Sequence, residues 1–237
     1  MMYGWEQPGK YLVQETLEFH SNHKNTGPSV WMKWLNMTFQ PQSFILEKTG
    51  QEQLYYVGHS QGTTIAFVAF STNPELAKRI KYFLHWLSHH SEIHPMSSET
   101  INSSFQRRSQ ESLGCYLAQS HAGTSVQNML HWAQAVNSGR FQAFDWGNPY
   151  QNMMHFHQLT PPLYNVSKME VPTAVWSGGQ DRVADLKDVE NLLPKITRLI
   201  YYKLIPHYNH VDFYLGQDAP HEIYQDLIRL MEGCFQN

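Results

Sequence analysis

The stretch Leu54-Tyr55-Tyr56-Val57-Gly58-His59-Ser60-Gln61-Gly62-Thr63-Thr64 decides the fold of this 237-residue chain. Its first four residues form a short apolar run of strand formers, which is typical of a buried parallel strand. Residues 63–70 follow as an apolar segment that predicts a buried helix. The turn between them matches the pattern G-x-S-x-G, and a strand, a turn and a helix in this order predict a nucleophile elbow.

Ser60 is the candidate nucleophile of this turn. A strained backbone would lift its hydroxyl out of the sheet, and we expect small residues at positions 58 and 62 because neighbouring backbone passes close by. The N–H of Gln61 would lie in the first turn of the helix, where it can donate to an oxyanion. The alternative is an inert serine in a glycine-flanked turn, and the flanking strand and helix favour the nucleophile.

Strands and helices alternate through the rest of the chain from residue 44 onward. The pattern predicts strands at 171–176 and 199–204. It also predicts helices that end before Gly50, that begin at the cap Asn73-Pro74, and that span 123–136. The apolar residues of the helix at 123–136 are spaced to share one face: Val126, Met129, Leu130 and Ala133. A short helix carries Val189, Leu192 and Leu193. A final helix carries Ile223, Leu227 and Leu230 on one face. This alternation predicts the α/β class, a mostly parallel sheet with helices on both faces.

Two segments differ from this pattern. Residues 1–43 are poorly periodic and form a divergent N-terminal segment ahead of a domain at 44–237. Residues 85–112 are rich in Ser, His, Gln and Arg, and we interpret them as an insertion or a loop. Four histidines in this region could suggest a metal site, but no acidic partner accompanies them, so we expect a solvated loop. They are His85, His89, His90 and His94.

Composition excludes several classes of protein. The formal net charge is −3 and no long run of Lys or Arg occurs, so the chain lacks the electrostatic footprint of a nucleic-acid-binding protein. No apolar stretch approaches the ~18 residues of a membrane helix. Cys115 and Cys234 are too few for a disulfide scaffold, and whether they pair stays open. The first residues lack the features of a signal peptide, which predicts either a cytosolic protein or a chain without its true N-terminus.

The triad acid should follow a later strand, because α/β-hydrolases present their triad in the order serine, acid, histidine. Asp181 is the best candidate, since it ends the turn Ser177-Gly178-Gly179-Gln180 after the strand at 171–176. Asp185 and Asp188 lie deeper in the next helix. The alternative for Asp181 is an ordinary turn aspartate.

The triad base should follow the next strand, at 199–204. Both His207 and His210 occupy suitable positions there, and spacing alone does not decide between them. The acid would orient this histidine, which would take the proton from Ser60. The alternative is a surface histidine.

Several long motifs in the chain resemble the gastric and lysosomal acid lipases and their epidermal relatives. The resemblance covers roughly 44–81 and 116 to the C-terminus. It rests on Tyr56-Val57-Gly58-His59-Ser60-Gln61-Gly62-Thr63-Thr64, Phe70-Ser71-Thr72-Asn73-Pro74, Ala122-Gly123-Thr124-Ser125-Val126-Gln127-Asn128-Met129, Asp145-Trp146-Gly147, Pro162-Leu163-Tyr164-Asn165 and Tyr208-Asn209-His210-Val211-Asp212-Phe213.

The resemblance implies an α/β-hydrolase fold with a cap, acting without cofactor or metal on acyl esters of glycerol or sterols at a lipid–water interface. It places the nucleophile on Ser60, the acid on Asp181 and the base on His210 rather than His207. It also implies secretion or a lysosomal location, with glycosylation at the sequon of Asn165. The remaining sequons, at Asn36 and Asn102, are interpreted as chance matches.

The chain also departs from this family. Residues 1–43 contain no His-Gly pair of the kind that the family's oxyanion loop carries, so the second oxyanion donor is not identified. The cap is reduced to residues 85–115. The sequence therefore predicts a truncated acid lipase that hydrolyses carboxylic esters. Its alternatives are a catalytically impaired or non-enzymatic truncated form, and a short-chain esterase with an open cleft.

Overall fold

The structure is a computed structural model, and it describes residues 12–14, 42, 44–86 and 124–233. For residues 12–14 it describes the backbone course only. Several sequence predictions fall outside these ranges. They concern Cys115 and Cys234, the sequons at Asn36 and Asn102, three of the four clustered histidines, and most of the N-terminal and cap segments.

The core of the fold is a parallel five-stranded sheet whose strand order equals the chain order. The predicted parallel α/β sheet is therefore confirmed. The strands are β1 (Leu12–Gln14), β2 (Leu54–His59), β3 (Ile80–Trp86), β4 (Thr173–Gly178) and β5 (Leu199–Ile205). Because all strands run the same way, their carboxyl ends meet at one edge, where α/β proteins place their sites.

The sequence did not predict β1 and β3. Strand β1 lies within the divergent segment and pairs with residues 55–57 of β2. Strand β3 lies between β2 and β4 and includes His85, whose side chain is fully buried and stacks on Phe83 with ring centroids 4.4 Å apart. The prediction of a solvated loop was therefore wrong for His85. The polar side chain of His85 interrupts the apolar pattern by which a buried strand is recognised in the sequence. The rest of the proposed cap, residues 87–115, lies outside the described ranges.

Helices cover both faces of the sheet. Tyr56 and Phe83 pack against the helices at Gln61–Thr72 and Leu186–Leu192 on one face, whereas Leu84 and Trp176 pack against the C-terminal helix on the other. The helices are α1 (44–49), α2 (Gln61–Thr72), α3 (Pro74–Ala77), α4 (Val126–Ser138), α5 (Pro149–Phe156), α6 (Leu186–Leu192), α7 (Asp212–Leu215) and α8 (Gln225–Glu232), with a π-helical turn at Pro220–Tyr224 before α8.

Local signals placed most helix ends correctly. Gly50 follows α1 with a φ of 66°, a conformation that glycine adopts without steric cost. At the start of α3, Asn73 accepts a hydrogen bond from the N–H of Leu76 at 3.0 Å, and Pro74 takes the first helical position. Ile223, Leu227 and Leu230 are buried together, as predicted for the C-terminal helix.

Helix α4 exposes three of its apolar side chains and buries two of its polar ones. Val126, Met129 and Leu130 are 76%, 58% and 52% exposed, whereas Asn128 and His131 are buried. The apolar face predicted from the sequence exists, but it is not a core face. Asn128 pairs with Gln61 and His131 donates to the carbonyl of Gln142, and these hydrogen bonds make the burial of both side chains tolerable.

The loops after β4 and β5 approach each other closely. The N–H of Gly179 donates to the carbonyl of Ile205 at 2.9 Å, and the N–H of Gln180 donates to the carbonyl of Tyr208 at 2.9 Å. A Cβ at Gly178 would lie 2.4 Å from the Tyr208 carbonyl oxygen. Glycine is therefore required here by space, and the contact fixes the turn that precedes Asp181.

Replacing Gly179 with alanine should destabilise the fold. Its Cβ would lie 2.5 Å from the carbonyl oxygen of Pro206, so backbone must move. Overpacking of this kind costs about 1–3 kcal/mol in the free energy of unfolding, measurable by urea denaturation. Gly62→Ala is the control, because a Cβ there meets nothing closer than 3.7 Å. Equal stabilities of the two variants would contradict this account.

The stability of the protein should fall as the pH falls from 6.5 towards 4. Burial lowers the pKa of His131 from 6.5 to about 4. Between these values the unfolded chain binds more protons than the folded one, so acid favours unfolding. We expect His131→Gln to reduce the loss of unfolding free energy between pH 7 and pH 4 by about 2 kcal/mol. If the unfolding free energies of the wild type and of His131→Gln fall by the same amount between pH 7 and pH 4, the low pKa of His131 is refuted.

Candidate active site

Ser60 lies in a strained turn between β2 and α2. Its φ of 54° and ψ of −125° are unusual for a residue with a side chain, and His157 is the only other non-glycine residue with positive φ in the described ranges. The carbonyl of Ser60 accepts the first helical hydrogen bond from Thr63 at 3.0 Å. The helix thus begins directly at the serine, as in a nucleophile elbow.

The two glycines of the pentapeptide have different roles. A Cβ at Gly58 would lie 3.1–3.2 Å from atoms of Thr63 and Phe83, so space is restricted there. At Gly62 the nearest atom is the Tyr56 hydroxyl at 3.7 Å, an ordinary contact. The expectation of close backbone approach therefore fails at position 62.

His210 lies between Ser60 and Asp181. Its Nε2 is 2.9 Å from the Ser60 hydroxyl, and its Nδ1 is 2.9 Å from Oδ2 of Asp181. A carboxylate can only accept, so Nδ1–H donates to Asp181 and Nε2 is free to accept from Ser60. The structure therefore brings these three sequence-predicted residues together. His207 is not part of this group, because its ring contacts Asp218 at 2.9 Å in an exposed position.

The carboxylate of Asp181 is held from both sides. Its Oδ1 accepts hydrogen bonds from the backbone N–H groups of Val183 and Ala184 at 2.8 and 2.9 Å. Its side chain is only 1% exposed. These bonds fix the carboxylate with Oδ2 directed at the histidine, so it can orient the ring and stabilise a positive charge on it.

A second set of hydrogen bonds shapes the loop of His210. The backbone N–H of His210 donates to Oδ1 of Asn209, and the N–H of Asn209 donates to Oδ2 of Asp212 at 2.7 Å. Asn209 and Asp212 are both buried. These side chains replace water as partners of the loop backbone, which keeps the loop in one conformation.

His59 connects the nucleophile turn to the loop of the base. Its Nε2 lies 3.0 Å from the carbonyl oxygen of His210, to which it donates. Its ring is 4.8 Å from that of His210 and 5.1 Å from that of Tyr214, between centroids. Burial, followed by the nearby charge of His210, lowers the pKa of His59 from 6.5 to about 3. The sequence analysis missed this residue, although it is the variable position of the G-x-S-x-G motif.

Gln61 begins α2 directly after the serine, and its side chain extends to α4. As the first residue of α2, it has an N–H without a partner within the helix. Its buried side-chain amide pairs with that of Asn128 on α4, at 3.1 and 3.0 Å. Nothing in the sequence around Asn128 indicates a partner 67 residues away.

Within residues 44–86 and 124–233, no three His, Cys, Asp or Glu side chains converge as metal ligands would. None of the helices described is long and apolar enough to cross a membrane. Of residues 1–43, where a second oxyanion donor was sought, the structure describes only the backbone of β1 and residue Gln42.

Comparison with known proteins places this site in context. A sequence model of the alpha/beta hydrolase fold matches residues 39–81, which include Ser60. The chain is 58% identical to human lipase member K, over 82% of this chain and 61% of the relative. It is 44% identical to human gastric triacylglycerol lipase, over 79% of this chain and 60% of the relative.

Human lysosomal acid lipase/cholesteryl ester hydrolase is also 44% identical, over 80% of this chain and 60% of the relative. The chain thus spans about three-fifths of the length of the curated relatives that it matches. A crystal structure described as an aryl esterase from Burkholderia cenocepacia superposes on this chain with a TM-score of 0.50. The match covers 86% of this chain and 72% of that one at 15% identity, so it shows a shared fold alone. The fold is therefore that of an α/β-hydrolase, and the chain is similar in sequence to acid lipases over about four-fifths of its own length.

Proposed function

We propose that the protein is a serine carboxylic ester hydrolase of the lipase type, which releases fatty acids from acylglycerols or sterol esters. In this proposal Ser60 is the nucleophile, His210 the general base and Asp181 the residue that orients the base. The observation that carries it is the pair of 2.9 Å contacts from the two nitrogens of His210 to Ser60 and Asp181. The strained backbone of Ser60 supports the same roles.

In the acylation step, the Ser60 oxygen attacks the carbonyl carbon of the ester while Nε2 of His210 takes the serine proton. The carbonyl oxygen becomes an oxyanion, to which the N–H of Gln61 donates. The resulting imidazolium is stabilised by the carboxylate of Asp181. When the tetrahedral intermediate collapses, the ester C–O bond breaks and the alcohol leaves with the proton from His210.

In the deacylation step, water attacks the acyl-serine as His210 takes one of its protons. The second intermediate collapses to the free fatty acid, and the proton returns to Ser60. Every proton in this cycle passes through Nε2 of His210. The proposed chemistry therefore needs no cofactor.

The substrate class follows from the relatives and from one surface feature. Two relatives are named for triacylglycerol and for cholesteryl esters. The exposed apolar side chains of Val126, Met129 and Leu130 on α4 would suit contact with a lipid surface. We extend the proposal to lipid esters at a lipid–water interface. Secretion or a lysosomal location is proposed from the same relatives, and the exposed side chain of Asn165 is compatible with glycosylation there.

Fluorophosphonate labelling should distinguish this proposal from a non-enzymatic chain. Such probes phosphonylate a serine only when it is activated, so the wild-type protein should label and Ser60→Ala should not. Labelling would be read by mass spectrometry of the intact protein and of the peptide that contains residue 60. A folded, monodisperse wild type that stays unlabelled would contradict the proposal. If it labels, its preference among esters of short and long acyl chains separates a short-chain esterase from a lipase.

Replacing Asp181 with asparagine should reduce kcat for an activated ester by about 10³–10⁴-fold, because the histidine would lose the tautomer it needs. The fold should survive, since an amide oxygen can still accept from Val183 and Ala184. The matched control is Asp185→Asn. Asp185 caps α6 by accepting from Lys187 and Asp188, a role that asparagine also fills, so its kcat should stay near that of wild type. Similar kcat values for the two variants would exclude Asp181 as the triad acid.

A further inference from the structure

We propose that Asn128 is a positioning residue, which holds Gln61 so that its backbone N–H faces the oxyanion. The inference rests on the proposed hydrolase function. It adds a residue from α4, a helix distant in sequence from the nucleophile elbow. The side-chain hydrogen bonds of Asn128 among the described residues go to Gln61 and Thr124, so it acts through the side chain of Gln61.

The contact between the two residues is a closed pair of amide hydrogen bonds. Nε2 of Gln61 donates to Oδ1 of Asn128 at 3.1 Å, and Nδ2 of Asn128 donates to Oε1 of Gln61 at 3.0 Å. Both side chains are buried, with 8% and 3% exposure. A buried pair of this kind tolerates little displacement, because any shift leaves polar groups unpaired away from water.

Asn128 is itself fixed by the start of its own helix. Its Nδ2 makes a further hydrogen bond to the Thr124 hydroxyl at 2.9 Å. Its backbone N–H donates to the side chain of Ser125, the N-cap of α4, at 3.1 Å. The anchor for Gln61 is therefore a residue whose backbone and side chain are both constrained.

Gln61 has particular need of such an anchor. As the first residue of α2 it follows Ser60, whose backbone is strained, and its N–H has no helical partner. An oxyanion donor is effective only within a narrow distance of the developing charge. The side-chain amide pair restrains the Gln61 Cα from one side, and this restrains the direction of the N–H.

A purely structural role makes a different prediction. If the pair only stabilised the packing of α4 against α2, its loss would reduce the folded fraction and leave turnover per folded molecule unchanged. Helix α4 offers a matched control in Gln134, whose side chain donates to the carbonyl of Asp145 at 2.7 Å and accepts from its N–H at 2.9 Å. Gln134→Ala thus removes two hydrogen bonds from the same helix without touching the elbow.

The experiment compares Asn128→Ala, Gln61→Met and Gln134→Ala with the wild-type protein. Gln61→Met keeps the backbone N–H and removes only the side-chain amide, so it tests the same contact if Asn128→Ala folds poorly. The readouts are kcat and KM for p-nitrophenyl butyrate, with active sites counted by a fluorophosphonate titration run to completion. We expect kcat per titrated site to fall about 10- to 100-fold in the first two variants, below the loss from deleting a donor outright. KM should change little, and Gln134→Ala should keep the wild-type kcat.

Exchange of the two residues provides a rescue. The double variant Gln61→Asn with Asn128→Gln retains both amides, and it should recover part of the kcat lost in Asn128→Ala. Wild-type kcat per titrated site in Asn128→Ala and Gln61→Met, or an equal loss in Gln134→Ala, would overturn the inference while the hydrolase function stands. A folded wild type that neither labels nor turns over the ester would overturn the proposed function and this inference with it.

Discussion

The close backbone contact between the loops after β4 and β5 is the constraint on which the candidate site depends. Two glycines allow the loops to approach, and two backbone hydrogen bonds hold them together. One loop carries Asp181 and the other carries His210, so the contact sets the distance between carboxylate and imidazole. The parallel order of the strands then places Ser60, at the end of β2, at the same edge of the sheet.

The turns and helix ends that lie where the sequence predicted them have signals within a few residues. The turn around Ser60 combines a strand, two glycines and a helix, and Asp181 follows a buried strand and a glycine pair. Helix ends at Gly50 and Asn73 follow from backbone conformation and capping. Both His207 and His210 follow the strand at 199–204, so position alone left two candidates for the base. Only the resemblance to a family favoured His210.

The features that the sequence analysis missed depend on partners far along the chain. His85 sits in a strand because Phe83 and Phe67 surround its ring, and nothing beside it in sequence indicates this. Helix α4 turns polar side chains inward because they find buried partners. Asn128 pairs with the side chain of Gln61, and His131 donates to the carbonyl of Gln142. A periodicity argument assumes that apolar residues face the core, and it fails where polar residues find buried partners.

The low pKa of His59 bears on how the site behaves in acid. Two imidazole rings lie side by side at the nucleophile, and if both took up protons on acidification, two like charges would face each other across 4.8 Å. His59 remains uncharged down to about pH 3. A moderately acidic environment therefore leaves His59 uncharged, so this ring adds no positive charge beside the imidazole that contacts Ser60.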